Sequence, residues 1–152
     1  PSSAASDVYK RQCYQRAHFL LPAASANEAW TWHEPDWKQI PGGFRSDPFA
    51  GKKLLTASLA GQEATVHFNG GALGAYVLAG PDAGVLEVSI DGGKWQRVDL
   101  YHRHSRGLHY PRTVMFATDL KTGAHTAKIR LSNKSNPLSK GTAARILQFV
   151  VN

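Results

Sequence analysis

One cysteine in 152 residues, Cys13, leaves no pair for an internal disulfide framework and says nothing about the redox compartment. No apolar run approaches the roughly 18 residues of a membrane-spanning helix, so no membrane is expected as a partner. Helical periodicity is missing as well, since no window of about 11 residues or more repeats its apolar positions at a spacing near 3.6. Acids are scarce: 11 Asp and Glu face 18 Lys and Arg, for a net charge of +7. Lys10, Arg11 and Arg16 carry part of that excess, and the remainder suits anions in general. Without a reading helix or an aromatic RNA-binding sheet signature, nucleic acid is not an expected partner. No Ser sits in a Gly-x-Ser-x-Gly elbow, and no cofactor motif is present.

The chain opens Pro1-Ser2-Ser3 without a Met, and Ala4 to Gln12 looks like translated adapter sequence of the kind found at the ends of assembled environmental reads. Residues 1–12 are therefore read as a non-native leader and 13–27 as a linker or the remnant of an upstream region, with one domain over 28–152. At 42% hydrophobic, that length suits a single core.

From Glu28 onward the pattern is short strands punctuated by turns. In Gln62 to Phe68, Ala64, Val66 and Phe68 alternate with Glu63, Thr65 and His67, and Asn69-Gly70-Gly71 ends the run. Leu54 to Leu59 and the continuously apolar Gly74 to Ala79 are two more strands. Leu86, Val88 and Ile90 alternate with Glu87 and Ser89, and Asp91-Gly92-Gly93 offers positive-φ residues for a tight reversal into Trp95 to Leu100. Thr113 to Ala117, His125 to Leu131 and Ala144 to Val151 complete the set, with Ala127, Ile129 and Leu131 facing inward. About eight or nine strands spaced by Gly, Pro and Asn turns predict an all-β, two-sheet antiparallel β-sandwich, jelly-roll-like in form.

The run Gly80-Pro81-Asp82-Ala83-Gly84, the hairpin Val85 to Trp95, and Leu108-His109-Tyr110-Pro111 occur in this order with the downstream strands. Together they resemble the β-sandwich accessory domain that stands beside the catalytic domain in many bacterial SGNH/GDSL-type esterases, including carbohydrate acetylesterases. The resemblance spans residues 28–152. It implies an accessory, carbohydrate-binding-like module, partnered by an SGNH-type catalytic domain of the same polypeptide and by a glycan or an acetylated or anionic polysaccharide. It also implies a secreted or periplasmic parent. A structural interaction domain with no ligand is the alternative.

Such an esterase needs a Gly-Asp-Ser nucleophile block, which is nowhere in this chain. Asp99-Leu100-Tyr101-His102 matches an Asp-x-x-His pair, but without its nucleophile it is read as a strand end followed by a loop. By itself the chain is expected not to be an enzyme.

The densest chemistry lies between Tyr101 and Arg112, where His102, His104, His109, Arg103, Arg106, Arg112, Tyr101 and Tyr110 come without an acid. Guanidinium forks suit carboxylate, sulfate or phosphate oxygens, and aromatic faces stack on sugar rings, so these side chains are ligand-binding candidates. Equally, Leu108, Tyr110 and His109 could anchor the loop while the arginines are merely solvated. A metal on His102, His104 and His109 is not expected, because no Asp, Glu or Cys lies near to complete a set and the arginines repel a cation. Trp30 and Trp32 share a face of a predicted strand and could form a sugar platform or cap the core. Asp82, between Pro and Gly, is expected to cap its own turn.

Overall fold

The computed structural model describes residues 17–44 and 49–152. The leader assigned to residues 1–12 and the start of the 13–27 segment lie outside the described residues. In chain order the strands are β1 (His18–Leu20), β2 (Thr31–His33), β3 (Gly43–Phe44), β4 (Leu54–Ala57), β5 (Glu63–Gly70) and β6 (Leu73–Ala79). They continue with β7 (Val85–Ile90), β8 (Gln96–Asp99), β9 (Leu108–Ala117), β10 (Gly123–Leu131) and β11 (Ala144–Val151). A four-residue 3-10 turn, Pro22–Ser25, follows β1, and the described residues contain no α-helix.

The strands form two sheets. One runs β2-β4-β11-β6-β9-β3, with β1 also paired to β11; the other runs β5-β10-β7-β8. The all-β sandwich expected from the alternation is therefore the fold. One pair departs from the antiparallel rule: β3 lies parallel to β9, with Gly43 opposite Leu108 and Phe44 opposite His109. The sandwich also begins before residue 28. His18, Phe19 and Leu20 pair with Val151, Val150 and Phe149, so the middle of the 13–27 segment is an edge strand of the domain.

Period-two patterning explains the central strands. Ala64, Val66 and Phe68 of β5 and Ala127, Ile129 and Leu131 of β10 are buried in the core, and Val66 stands directly opposite Ala127. Against them pack Leu73, Ala75 and Val77 of β6, Val114 and Phe116 of β9, and Ile146, Phe149 and Val151 of β11. Strand β6 reads as continuously apolar because both its faces are covered. Leu78 joins Phe49 and Leu54 in a second cluster to which Trp37, Tyr76 and Leu147 add, and Phe49 stacks on Tyr76 at 5.7 Å.

The β7–β8 hairpin closes as its sequence predicts. Asp91 and Gly92 take φ of 50° and 73°, and the Gly93 amide donates to the Ile90 carbonyl at 2.8 Å, which matches the twist that a two-residue hairpin turn requires. Ser89, expected on the solvent face, is 3% exposed because its hydroxyl donates to the Gly93 carbonyl at 2.7 Å.

Candidate functional site

The basic stretch 101–112 divides into three environments. Tyr101 is core, with 6% exposure, and its amide donates to Asp99 Oδ1 at 2.9 Å. Asp99 Oδ2 accepts from Asn136 Nδ2 at 2.7 Å, so this carboxylate caps the end of β8 and holds a neighbouring loop. The Asp99-x-x-His102 match is thus a strand end and a turn, as its missing nucleophile suggested.

Residues 102–107 form the loop proper. The Ser105 amide donates to the His102 carbonyl at 2.7 Å, and the His102 amide donates back to Ser105 Oγ at 3.0 Å. This reciprocal turn folds the chain so that His102 and His104 meet Tyr110 at the start of β9. Ring centroids lie 5.2 Å apart for His102–His104, 5.8 Å for His102–Tyr110 and 6.4 Å for His104–Tyr110. With planes inclined by 50°, 69° and 68°, the three rings pack tilted and edge-on as one cluster. His104 is exposed, while His102 and Tyr110 are half-buried.

Arg103 and Arg112 act on this ring cluster. Arg103 Nε donates to His104 Nε2 at 3.1 Å, and Arg112 Nη1 donates to the Tyr101 carbonyl at 3.4 Å. Arg103 and Arg106 are exposed and Arg112 is half-buried. Among the described residues none of the three forms an ion pair, whereas Arg130, Arg145 and Lys128 all do. Burial, reinforced by the charges of Arg112, His104 and Arg103, pulls the His102 pKa below its ordinary value and leaves the ring neutral at pH 7. Its Nδ1 is buried with no hydrogen-bond partner. Burial pushes the Tyr110 phenol up, against the pull of Arg112 and Arg103.

His109 belongs elsewhere. Alternation along β9 turns it away from Tyr110 and buries it completely, with Nε2 3.2 Å from Asp82 Oδ1 and its ring edge-on to Trp37 at 6.1 Å. Arg145 grips the same carboxylate with both terminal nitrogens, at 2.8 and 2.7 Å. Burial would raise the Asp82 pKa; hydrogen bonds and charge from Arg145 and His109 outweigh it and hold the carboxyl well below the usual range. Asp82 is therefore an ion-pair centre and not the cap of its own turn. Gly80 is required here by contact: a Cβ would sit 2.0 Å from the His109 ring.

Three of the candidate ligand-binding residues accordingly have little or no surface to offer a ligand. Trp30 is fully buried, with Nε1 donating to the Gln62 carbonyl at 2.9 Å, and Tyr101 and His109 are held as described. Trp32 is half-buried against the core. His102, Arg103, His104, Arg106 and Tyr110 remain together at one end of the sandwich, with Arg112 beside them. Arg145 escaped the sequence reading, although a lone charge between Ala144 and Ile146 in an apolar strand was a usable signal. Since His109 sits on Asp82, it is parted from His102 and His104. Among the described residues no group of three or more His, Cys, Asp or Glu side chains converges to hold a metal.

No protein-family model matches the chain, and no curated protein matches it in sequence. Solved structures do share its fold. A two-domain esterase active on acetylated mannans, crystallised with mannopentaose, superposes with a TM-score of 0.60 at 14% identity, over 91% of this chain and 36% of that one. An exo-β-1,3-galactanase from Phanerochaete chrysosporium, solved with galactose, gives 0.52 at 20% identity, over 90% and 29%. A family two carbohydrate esterase from Cellvibrio japonicus gives 0.51 at 15%, over 89% and 33%. The chain thus spans about a third of each of these proteins. At such identities the likeness is one of fold, and the neighbours that share it act on carbohydrates.

Proposed function

We propose that this chain is a non-catalytic, carbohydrate-binding module of an SGNH/GDSL-type esterase, presenting the 102–112 end of its sandwich to glycan beside the catalytic domain. The observation that carries this is the partial coverage: nearly all of this chain aligns with about a third of a two-domain esterase active on acetylated mannans. The absence of a Gly-Asp-Ser block from the sequence supports a module that does no chemistry of its own. So does the state of its two His–Asp contacts. His109 is fully buried, and His125 spends Nδ1 on Asp91 and Nε2 on the Lys121 carbonyl, both at 2.6 Å, so neither ring is poised as a general base. The ring cluster at the sandwich end contributes by holding substrate in place, which lowers a barrier through positioning and not through proton transfer.

The test uses the 152-residue chain. Hydrolysis of acetylated mannan and of a simple acetyl ester is followed together with retention on insoluble and soluble polysaccharides. No turnover with measurable glycan retention is the expected result. Turnover above the buffer rate would show a catalytic centre in this chain and end the proposal, as would a failure to bind any glycan.

A further inference from the structure

The loop that carries the three rings also concentrates cationic charge, with Arg103, Arg106 and Arg112 on ten residues of chain and no acid between them. Three cations elsewhere are held in ion pairs. Arg130 reaches Glu87 at 2.8 Å and Glu63 at 3.9 Å, Lys128 reaches Glu63 at 3.1 Å, and Arg145 grips Asp82. Arg103, Arg106 and Arg112 have no such partner among the described residues. Asp99, the carboxylate closest to them in the sequence, is occupied by the Tyr101 amide and by Asn136. Three guanidiniums share ten residues of chain with His102, His104 and Tyr110, whose rings lie within 6.4 Å of one another, and Arg103 Nε reaches His104 Nε2 at 3.1 Å. A bare polyanion site needs only the charge, and a neutral-sugar site needs only the rings. Both together fit a pyranose that carries its own carboxylate: the C–H face of the sugar rests on the rings, and a guanidinium fork takes the two carboxylate oxygens. The lowered pKa of His102 fits this division, since the ring adds no charge of its own and the arginines supply it.

We propose that the 102–112 end binds uronate residues of an acidic polysaccharide, with Arg103 and Arg106 holding the carboxylate and His102, His104 and Tyr110 supporting the ring. This rests on the carbohydrate-module reading above and narrows it to a substrate class. The two exposed arginines carry the specificity; Arg112, half-buried and tied to the Tyr101 carbonyl, sets the potential around them.

Calorimetric titration of the 152-residue chain with tetragalacturonate, with neutral mannopentaose and with a short single-stranded DNA tests it. Tetragalacturonate is expected to bind at least tenfold more tightly than mannopentaose, and more weakly as salt rises. Arg103→Ala and Arg106→Ala are each expected to cost about tenfold for the uronate, the scale of one charge-assisted hydrogen bond. Lys94→Ala, which removes a charge at the opposite end of β8, should leave binding unchanged. Both arginines are exposed, and an unchanged melting temperature checks that their variants fold. Equal affinity for the two oligosaccharides overturns the uronate assignment and leaves the carbohydrate module standing. Binding of neither overturns both. If DNA binds as tightly as the uronate and loses affinity in the same variants, the loop reads bare charge and the assignment fails.

Discussion

Asp82, His109 and Arg145 come from the turn after β6, the start of β9 and the start of β11, and they meet in a nearly closed space. Asp82 keeps 14% of its side chain exposed, Arg145 8% and His109 1%. Removing two charges from water is costly, and the bidentate geometry is what offsets it. Arg145→Met therefore strands a buried carboxylate and is expected to cost about 3–5 kcal/mol in urea unfolding at pH 7. Replacing both partners with apolar residues of similar volume, Asp82→Leu with Arg145→Met, should recover most of that loss, because no orphaned charge remains. The pH dependence has a definite sign. A carboxylate whose folded pKa is depressed contributes stability above its unfolded value, about pH 4, and loses it as pH falls through the folded value. In Arg145→Met the carboxyl protonates more readily, so the gap between wild type and variant should shrink at pH 3. A gap that stays constant between pH 7 and pH 3 would show that lost packing, and not charge, sets the cost.

At the scale of elements, His125 ties the β7–β8 turn to β10. Its Nδ1 lies 2.6 Å from Asp91 Oδ2 and its Nε2 2.6 Å from the Lys121 carbonyl. Both partners are acceptors, so both ring nitrogens must carry protons. The hydrogen bonds that His125 donates to Asp91 and to the Lys121 carbonyl raise its pKa, against partial burial, while the Thr126 amide and then His125 lower that of Asp91. A raised folded pKa means that the contribution is complete below about pH 6.5 and is lost as pH rises through the folded value. Wild type should therefore lose stability from pH 6 to pH 9 relative to His125→Gln, and the imidazole resonances should titrate above their free value. A free-value titration would show that the cationic clamp does not form.

These elements also show what the sequence could and could not tell. Strands β5, β7, β10 and β11 were legible because one face of each is core, so a one-residue slip would expose every apolar side chain. Strands β1 and β3 have three and two residues and exist through pairing with β11 and β9, and nothing local marks them, whereas the Trp30–Trp32 alternation pointed to a strand where β2 lies. The same limit applies to the site. The wealth of His, Arg and Tyr in 101–112 was plain, but which of them meet was not. That choice depends on the Ser105 turn, which folds His104 back toward Tyr110, and on β9 starting at Leu108, whose alternation sends His109 to Asp82 and Tyr110 to the His102 and His104 rings. Trp30 and Trp32 illustrate the converse, since their shared face was correct and it faces the core.

Across the whole molecule, the partners of almost every strand lie far away in sequence. β5 pairs with β10, β4 and β6 pair with β11, and β9 returns to β6; of the longer strands only the β7–β8 hairpin is local. Strand β11 sits between β6 on one side and β4 and β1 on the other, and it supplies Ile146, Phe149 and Val151 to the core. Neither sheet can close before distant segments meet, so loop-closure entropy is spent before most contacts form. Two consequences follow for unfolding in urea. Trp30 lies in the core under the first sheet, and Trp95 packs beneath the Arg130 guanidinium at 4.0 Å on the second. Fluorescence from variants in which Trp30 or Trp95 is the only one of the four tryptophans retained should report the same midpoint, because the sheets share one core and cannot melt separately. Refolding should take milliseconds to seconds, the range of sandwiches dominated by non-local pairs. Separate midpoints for Trp30 and Trp95 would mean that the β5-β10-β7-β8 sheet holds without the other, and the single-core account of this sandwich would fall.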